Sequence, residues 1–424
     1  MRIDRLVIQN FNGFELCEIA FDPHFNLLVG DNASGKTSVL DALSILLDCW
    51  VNGVKGDEKG GGIHPDQVRV EAFTYQDSYT FEKKFPVRLE IFGEVMGTSL
   101  KWSRERIAEK GGTKYVEARS IYIAAREAYR KVHDKEEVTL PIICSYGTER
   151  LWFESRHRKK GRSKEGKDVR PSRFDGYEDC NEFEIQETEL LDWIRAEVLD
   201  GLQMGQKTIA FRAIERAVIG CVEDAISLVY SERYKDAVIG MKKQGPQFFK
   251  NLSDGQRIML TLVGDLVRRA TTLNGYLGDE VLEKTPGVVL IDELDLHLHP
   301  IWQRRVIRDL KRTFPSIQFI TTTHSPQLIG EAHPEEIRVL SDWQAASPPR
   351  SFGIDSSRIL EEIQLAPRRT PEVSLLITRL SAAIEDEKFD EAGKLLKELE
   401  DLLTSDDPEV TRARTLIDFM ESPI

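Results

Sequence analysis

Cysteine is scarce in this chain of 424 residues: there are five, Cys17, Cys49, Cys144, Cys180 and Cys221, and no two form a C-x-x-C pair. That scatter argues against a disulfide framework or a thiolate zinc site, and it fits a reducing compartment, the cytoplasm. Histidine is sparse as well, eight in all. His297 and His299 stand two apart, but nothing nearby supplies the further ligands that a metal pair would need; both read as structural, with His299 suited to cap a helix. Long apolar runs are missing. None approaches the roughly 18 residues that span a bilayer, and the first residues lack a signal-peptide core, so no membrane segment is expected. There is no extended heptad array and no repeat of fixed period. A net charge of −13 argues against a surface that is basic all over, while leaving room for a local basic stripe.

What remains is the balance of a globular protein, 41% hydrophobic and 30% charged, long enough for two or three domain-sized units. The chain opens on strands: Arg2 to Ile8 alternates, and Asn26-Leu27-Leu28-Val29 is a short apolar run ending at a glycine. A buried helix is expected from Val39 to Leu47, an exposed glycine-rich loop from Gly53 to Gly62, and antiparallel strands between about Val68 and Val116. Arg156 to Arg173 is rich in Lys and Arg, with little that could pack, and reads as a loop. Leu190 to Tyr230 reads as helical, with Ile209, Phe211, Ile214, Val218, Val222 and Ile226 near helical spacing. Val288 to Ile291 and Phe319 to Thr322 are buried-strand candidates, separated by a helix starting at Pro300. After Pro348-Pro349, Pro367 and Pro371, Leu376, Leu380 and Ile384, then Leu395, Leu396, Leu399, Leu402 and Leu403, form amphipathic helices. A last helix holds Val410, Leu416, Ile417 and Met420. The expected units are 1–150, an N-terminal lobe; 151–250, a basic loop and helical subdomain; 251–345, a second lobe; and 346–424, a proline-rich linker and helical tail.

Four motifs carry chemistry. Gly30-Asp31-Asn32-Ala33-Ser34-Gly35-Lys36-Thr37, followed by Ser38, fits G-x-x-x-x-G-K-[ST] between a strand and a helix. Its glycines let backbone N–H groups turn inward around phosphate oxygens at the positive end of the helix, Lys36 reaches the β- and γ-phosphates of ATP, and the Thr37 hydroxyl ligates Mg²⁺. Asp292 and Glu293 follow an apolar strand that delivers both carboxylates beside the loop. Asp292 is expected to help hold Mg²⁺ and Glu293 to orient and polarise the attacking water. Leu252-Ser253-Asp254-Gly255-Gln256 places Ser253, Gly255 and Gln256 at a helix start, either as a phosphate contact or as an ordinary capped turn. His324 follows the second buried strand, in Thr321-Thr322-Thr323-His324-Ser325-Pro326, where it can meet a γ-phosphate.

Taken in this order, the motifs resemble the ABC ATPases, and within them the RecF/SMC/OLD-like branch rather than membrane transporters. Leu6-x-Ile8-x-Asn10-Phe11-x-Gly13-Phe14 and Asp292-Glu293-Leu294-Asp295-Leu296-His297-Leu298-His299-Pro300 look like that branch, over about residues 1–45 and 250–342. More narrowly, Ser145-Tyr146-Gly147-Thr148-Glu149-Arg150-Leu151-Trp152, Pro300-Ile301-Trp302-Gln303-Arg304 and the helical tail resemble the PtuA-type ATPases of Septu antiphage systems and of retrons with Septu-like effectors. The resemblance implies an α/β fold: an ABC-type head, a mixed sheet around the phosphate loop, with a helical lobe and a C-terminal helical tail. It implies ATP and Mg²⁺ as cofactors. It also implies that Ser253 and Gly255 contact the γ-phosphate bound by a second copy, in a head-to-tail homodimer or a higher oligomer. Asp254 departs from the L-S-G-G-Q signature and adds negative charge there, and Asp295 takes the place of the D-loop residue that speaks across such a dimer. An HNH nuclease held by the helical tail is the implied partner. About 80 residues follow the switch region, too few for the Toprim nuclease of OLD proteins, so no nuclease activity is expected of this chain. The alternative is a RecF-like DNA-binding ATPase of repair, touching DNA through the basic stretch 156–173. A structural nucleotide-binding scaffold would require that Glu293 not support turnover. Gln67 and Gln76 are candidates for a Q-loop glutamine.

Overall fold

The computed structural model describes the chain except residues 58–60, 76–77, 149–171, 181–186, 365, 368 and 422–424. Two compact units result, 1–356 and 357–424.

In the larger unit, alternating apolar residues make β1 (Arg2–Phe11) and β2 (Phe14–Ala20), followed by the almost wholly buried β3 (Phe25–Gly30). Helix α1 (Lys36–Lys55) follows the phosphate loop directly. It runs through Gly53, which the sequence places in a loop, because Val51 and Val54 still bury their side chains; Gly56, at φ 76°, ends it. This helix is long and apolar enough to cross a membrane by length and composition, yet most of it is buried inside the head. A separate hairpin of β4 (Val70–Tyr75) and β5 (Ser78–Lys83) precedes β6 (Val87–Val95) and β7 (Thr98–Arg106). Strands β2, β1, β6 and β7 form an antiparallel sheet in that order. Helix α2 (Arg119–His133) leads to β8 (Ile142–Tyr146).

The middle of the chain holds α3 (Glu187–Met204), α4 (Ile209–Cys221) and a small meander of β9 (Ala225–Ser231), β10 (Asp236–Met241) and β11 (Gly245–Phe248). The helical reading of Leu190 to Tyr230 therefore fails at its end. Residues 225–231 alternate and are rich in β-strand formers, and pairing with β10 overrides the accidental helical spacing of Ile226. Then come α5 (Asp254–Asn274), the short α6 (Val281–Lys284), β12 (Gly287–Ile291), α7 (Pro300–Thr313), β13 (Ile317–Thr322), the short α8 (Pro326–Ile329), β14 (Ile337–Ser341) and β15 (Gln344–Ala346).

The central sheet runs β15-β14-β3-β13-β12-β8. All its strand pairs are parallel except β14 with β15. Strands β8, β12 and β13 are buried at every position, as parallel strands covered on both faces must be. Because β3, β13, β12 and β8 run the same way, the segments after them emerge side by side at one edge. Ligands of open parallel sheets bind at that edge.

The smaller unit contains α9 (Ser356–Glu362), α10 (Pro371–Glu385), α11 (Phe389–Leu402) and α12 (Pro408–Glu421). Its core joins Leu376, Leu380 and Ile384 of α10, Ala392, Leu395 and Leu399 of α11, and Val410, Ala413 and Ile417 of α12. Arg369 reaches both carboxylate oxygens of Asp407, at 2.9 Å each, and Asp407 in turn accepts from the backbone N–H of Glu409 at the start of α12.

Candidate nucleotide site

The phosphate loop leaves β3 at Gly30. Asp31, Asn32 and Ala33 are exposed at its outer curve, and Ala33 sits at φ 65°. The Lys36 ammonium donates to the carbonyls of Gly30 and Asp31, 2.8 Å each, so the lysine lies along the inside of its own loop. Burial lowers its pKa, against the raising pull of Asp292, Asp31 and Glu293. The Ser34 hydroxyl is buried with no hydrogen-bond partner among the described residues. Ser38 accepts a hydrogen bond from the Asn12 amide at 2.9 Å, which ties α1 to the β1–β2 turn.

Across from the loop, the Thr37 hydroxyl lies 3.3 Å from Asp292 Oδ2. Asp292 and Glu293 extend β12, and a residue that the sequence left unmarked orients both. The hydroxyl of fully buried Thr322 donates to Asp292 Oδ1 at 2.5 Å and accepts from the Glu293 backbone N–H at 2.7 Å. Glu293 itself stands at φ 48°, a conformation that a glutamate keeps only when its surroundings hold it. The Asp292 N–H donates to the carbonyl of Tyr146, the last residue of β8. Exposed His324 follows β13 by two residues, at the same edge. The structure thus brings together Lys36, Thr37, Asp292, Glu293 and His324, which are distant in sequence.

Asp295 accepts from the Thr323 hydroxyl at 2.5 Å, within its own chain. His299 caps α7, its ring nitrogen accepting from the Ile301 N–H at 3.4 Å, so the structural reading of this histidine holds. The signature segment behaves as a capped helix start. Ser253 is the N-cap of α5, and its side chain and that of Gln256 form a reciprocal capping box. Asp254 lies in the first turn, 4.0 Å from Arg257. A side-chain carbon on Gly255 would come within 2.9 Å of the His297 carbonyl oxygen, so this glycine is what allows the segment after Glu293 to pack on the start of α5.

Other site residues were invisible in the sequence because they carry no motif. Trp343 sits at φ 60° in the two-residue turn Asp342-Trp343 between β14 and β15. Its ring meets Phe14 edge-on at 5.0 Å and fills the space where side chains on Gly13 and Gly35 would lie, so it braces the phosphate loop. Asp41, one turn beyond Thr37, faces Asp292; burial, then that neighbouring charge, pushes its carboxyl up to about 6. Gln67, a Q-loop candidate, instead uses its side chain to accept from the His64 N–H, and Gln76 lies outside the described residues. So do Glu149 to Trp152 and 156–171 of the basic stretch. Arg173, at the end of that stretch, is turned inward onto the Leu273 carbonyl at 2.6 Å.

The donor set suits a magnesium nucleotide. Hydroxyl and carboxylate oxygens of Thr37 and Asp292 are the hard ligands that Mg²⁺ prefers, and the loop's inward curve, with its partnerless Ser34 hydroxyl, suits phosphate oxygens. A phosphate loop on a parallel sheet, paired acids after the next strand but one, and a capped signature helix define an ABC-type ATPase head.

Comparison with known proteins agrees. One AAA domain model matches residues 5–204, and a second, described as AAA domain, putative AbiEii toxin, Type IV TA system, matches 235–330. The retron Vc95 probable ATPase of Vibrio cholerae is 25% identical over 85% of this chain and 78% of that protein. The retron Ec83 probable ATPase of Escherichia coli is 43% identical over 28% of this chain and 22% of its own length. The Septu protein PtuA of Bacillus thuringiensis is 28% identical over 40% of this chain and 46% of its own. The chain is thus similar to the ATPases of retrons and to the PtuA proteins of Septu systems.

Proposed function

We propose that this chain is the ATP-binding and ATP-hydrolysing regulatory subunit of a cytoplasmic antiphage defence complex, and that its nucleotide state governs a bound nuclease of the HNH type. The observation that carries most weight is the extent of the likeness to the retron Vc95 ATPase, 85% of this chain, against 46 residues for RecF proteins. A RecF-like role in repair would draw on the basic stretch, whose Arg173 is engaged inside the protein.

In this mechanism the loop N–H groups, from Gly30 to Ser38 at the positive end of α1, hold the phosphates, and Lys36 exchanges its carbonyl partners for phosphate oxygens. Thr37 and Asp292 hold Mg²⁺, which when bound neutralises charge on the phosphates. Glu293, fixed through its backbone by Thr322, orients the attacking water and accepts its proton, and His324 donates to the γ-phosphate. Ser253, Gly255 and Gln256 serve the nucleotide of a second copy in a head-to-tail dimer, with Asp295 near the junction. Nuclease chemistry belongs to the partner, docked on the smaller unit. There, a groove of about 130 Å³ among α10, α11 and α12 is lined by Ile377, Leu380 and Leu416 together with Ser381, Glu385, Glu409 and Arg412, a surface that can take an amphipathic helix.

The test is co-expression with the neighbouring genes. A nuclease is expected to co-purify with the full chain and to be lost on deletion of 371–424 or with Ile377→Asp/Leu416→Asp, while phosphate release persists. Glu293→Gln should abolish multiple-turnover phosphate release and leave ATP binding intact. Retention of the nuclease by the deleted chain, or turnover by Glu293→Gln, would refute the corresponding half of the proposal.

A further inference from the structure

Beside the Thr37–Asp292 pair lies a cavity of about 300 Å³, bounded by α1 and by the ends of β8 and β12. Thr37, Leu40, Asp41 and Ser44 line it from α1. Their spacing, i, i+3, i+4 and i+7, makes them one helix face. The face that a phosphate-loop helix turns to its sheet ought to be apolar, so a stripe of Thr37, Asp41 and Ser44 there is anomalous. Ser145 and Leu290 line the opposite wall and are paired in register, so both point to the same side of the sheet. Tyr146 alternates with Ser145, and its hydroxyl reaches Asp265 on α5 at 2.7 Å.

Two polar groups facing this cavity lack partners among the described residues. Ser145 is 4% exposed, and its hydroxyl makes no hydrogen bond. The half-buried Asp41 carboxylate makes neither hydrogen bond nor ion pair among the described residues, and the charge that acts on it is that of Asp292, of the same sign. Unpaired buried polar groups cost free energy, and a carboxylate facing another carboxylate costs more. A shared ligand that donates to both would relieve this. The cavity has room for several waters at about 30 Å³ each, carries a polar side chain on each wall beside Leu40 and Leu290, and opens onto the oxygens of Thr37 and Asp292. Magnesium binds through one or two carboxylates and keeps much of its water shell.

We propose that Asp41 is a positioning residue for the divalent cation, its carboxylate and the Ser145 hydroxyl holding the cation's outer waters in this cavity. The inference rests on the assignment of Thr37 and Asp292 as cation ligands. It adds a second layer that no motif marks: α1 supplies both the inner ligand Thr37 and, one turn on, the outer acceptor Asp41. Outer-layer partners of metal ligands typically contribute about 10- to 100-fold in metal affinity.

The experiment is a Mn²⁺ titration of the full chain with a fluorescent ATP analogue, followed both by the free-Mn²⁺ electron paramagnetic resonance signal and by nucleotide fluorescence. Asp41→Asn should raise the Mn²⁺ midpoint about tenfold, and Ser145→Ala should raise it in the same direction. Nucleotide affinity in EDTA and the thermal midpoint of the ligand-free protein should change little. Asp41→Glu should restore part of the loss. Should Asp41→Asn fail to fold, Ser145→Ala, which keeps the backbone and removes one oxygen, reads the same cavity. Wild-type midpoints in both variants overturn the proposal. Asp292→Asn separates the layers: loss of metal coupling there with none in Asp41→Asn sinks only the outer layer, whereas a wild-type midpoint in Asp292→Asn sinks the ligand assignment itself.

Discussion

Replacing Thr322 by valine keeps the shape of a fully buried side chain and removes one oxygen, but that oxygen serves both acids of the site. Its hydroxyl donates to Asp292 at 2.5 Å and accepts from the Glu293 N–H at 2.7 Å. A hydrogen bond to a charged group contributes about 1.5–3 kcal/mol, and stranding a buried N–H costs about 1–3 kcal/mol. Part of this loss falls on global stability. If about 3 kcal/mol falls on the arrangement of Asp292 and Glu293 needed for hydrolysis, kcat drops about 100-fold. Steady-state phosphate release measures it, with thermal unfolding to separate the stability share. Thr322→Ser, which keeps the hydroxyl, should retain most activity. A folded Thr322→Val enzyme with kcat within about threefold of wild type would refute the idea that this hydroxyl sets the two acids.

Gly255→Ala places a methyl group about 2.9 Å from the His297 carbonyl, so the loop after Glu293 must shift. A loss of about 1–3 kcal/mol in thermal stability is expected and, on the proposed head-to-tail dimer, weaker ATP-induced association in size-exclusion runs on the Glu293→Gln background. Asp265 is buried between Arg269 and Arg268; burial raises its pKa, but the two guanidiniums outweigh that and hold it below the ordinary carboxylate range. Its contribution to stability is therefore present above the unfolded pKa of about 3.9 and lost as pH falls through the lower folded value. Asp265→Asn should flatten that acid limb in pH-dependent melts while costing about 3–5 kcal/mol near neutrality, because Arg269 is left buried without its counter-charge. All five cysteines are buried, and burial pushes Cys144 and Cys221 up to about 12 and Cys180 to about 11. A thiol reagent at pH 8 should find essentially no reactive group in the native protein and five after denaturation.

The phosphate loop and the paired acids were legible in the sequence because their chemistry is local: a glycine turn before a helix, and an apolar strand ending in two carboxylates. Strand β3, helix α1, strands β12 and β13 and the tail helices could be read from apolar periodicity. That signal failed at 225–231, where Ile226 falls on helical spacing by chance and sheet pairing wins. It also failed at Gly53, where burial of Val51 and Val54 carries α1 through a residue of poor helix propensity.

Local sequence thus specifies the groups available to a nucleotide and the elements that carry them. Tertiary structure alone decided how those groups are aimed. Trp343 and Asp41 belong to no motif, Thr322 and Tyr146 stood inside motifs without a role of their own, and the importance of all four comes from neighbours about 30 to 330 positions away in the chain. A parallel sheet brings such neighbours together by register between strands, which no local spacing encodes. The same holds for the Gly255–His297 approach, where a glycine was expected as a phosphate contact and the fold shows in addition a steric demand from its own chain.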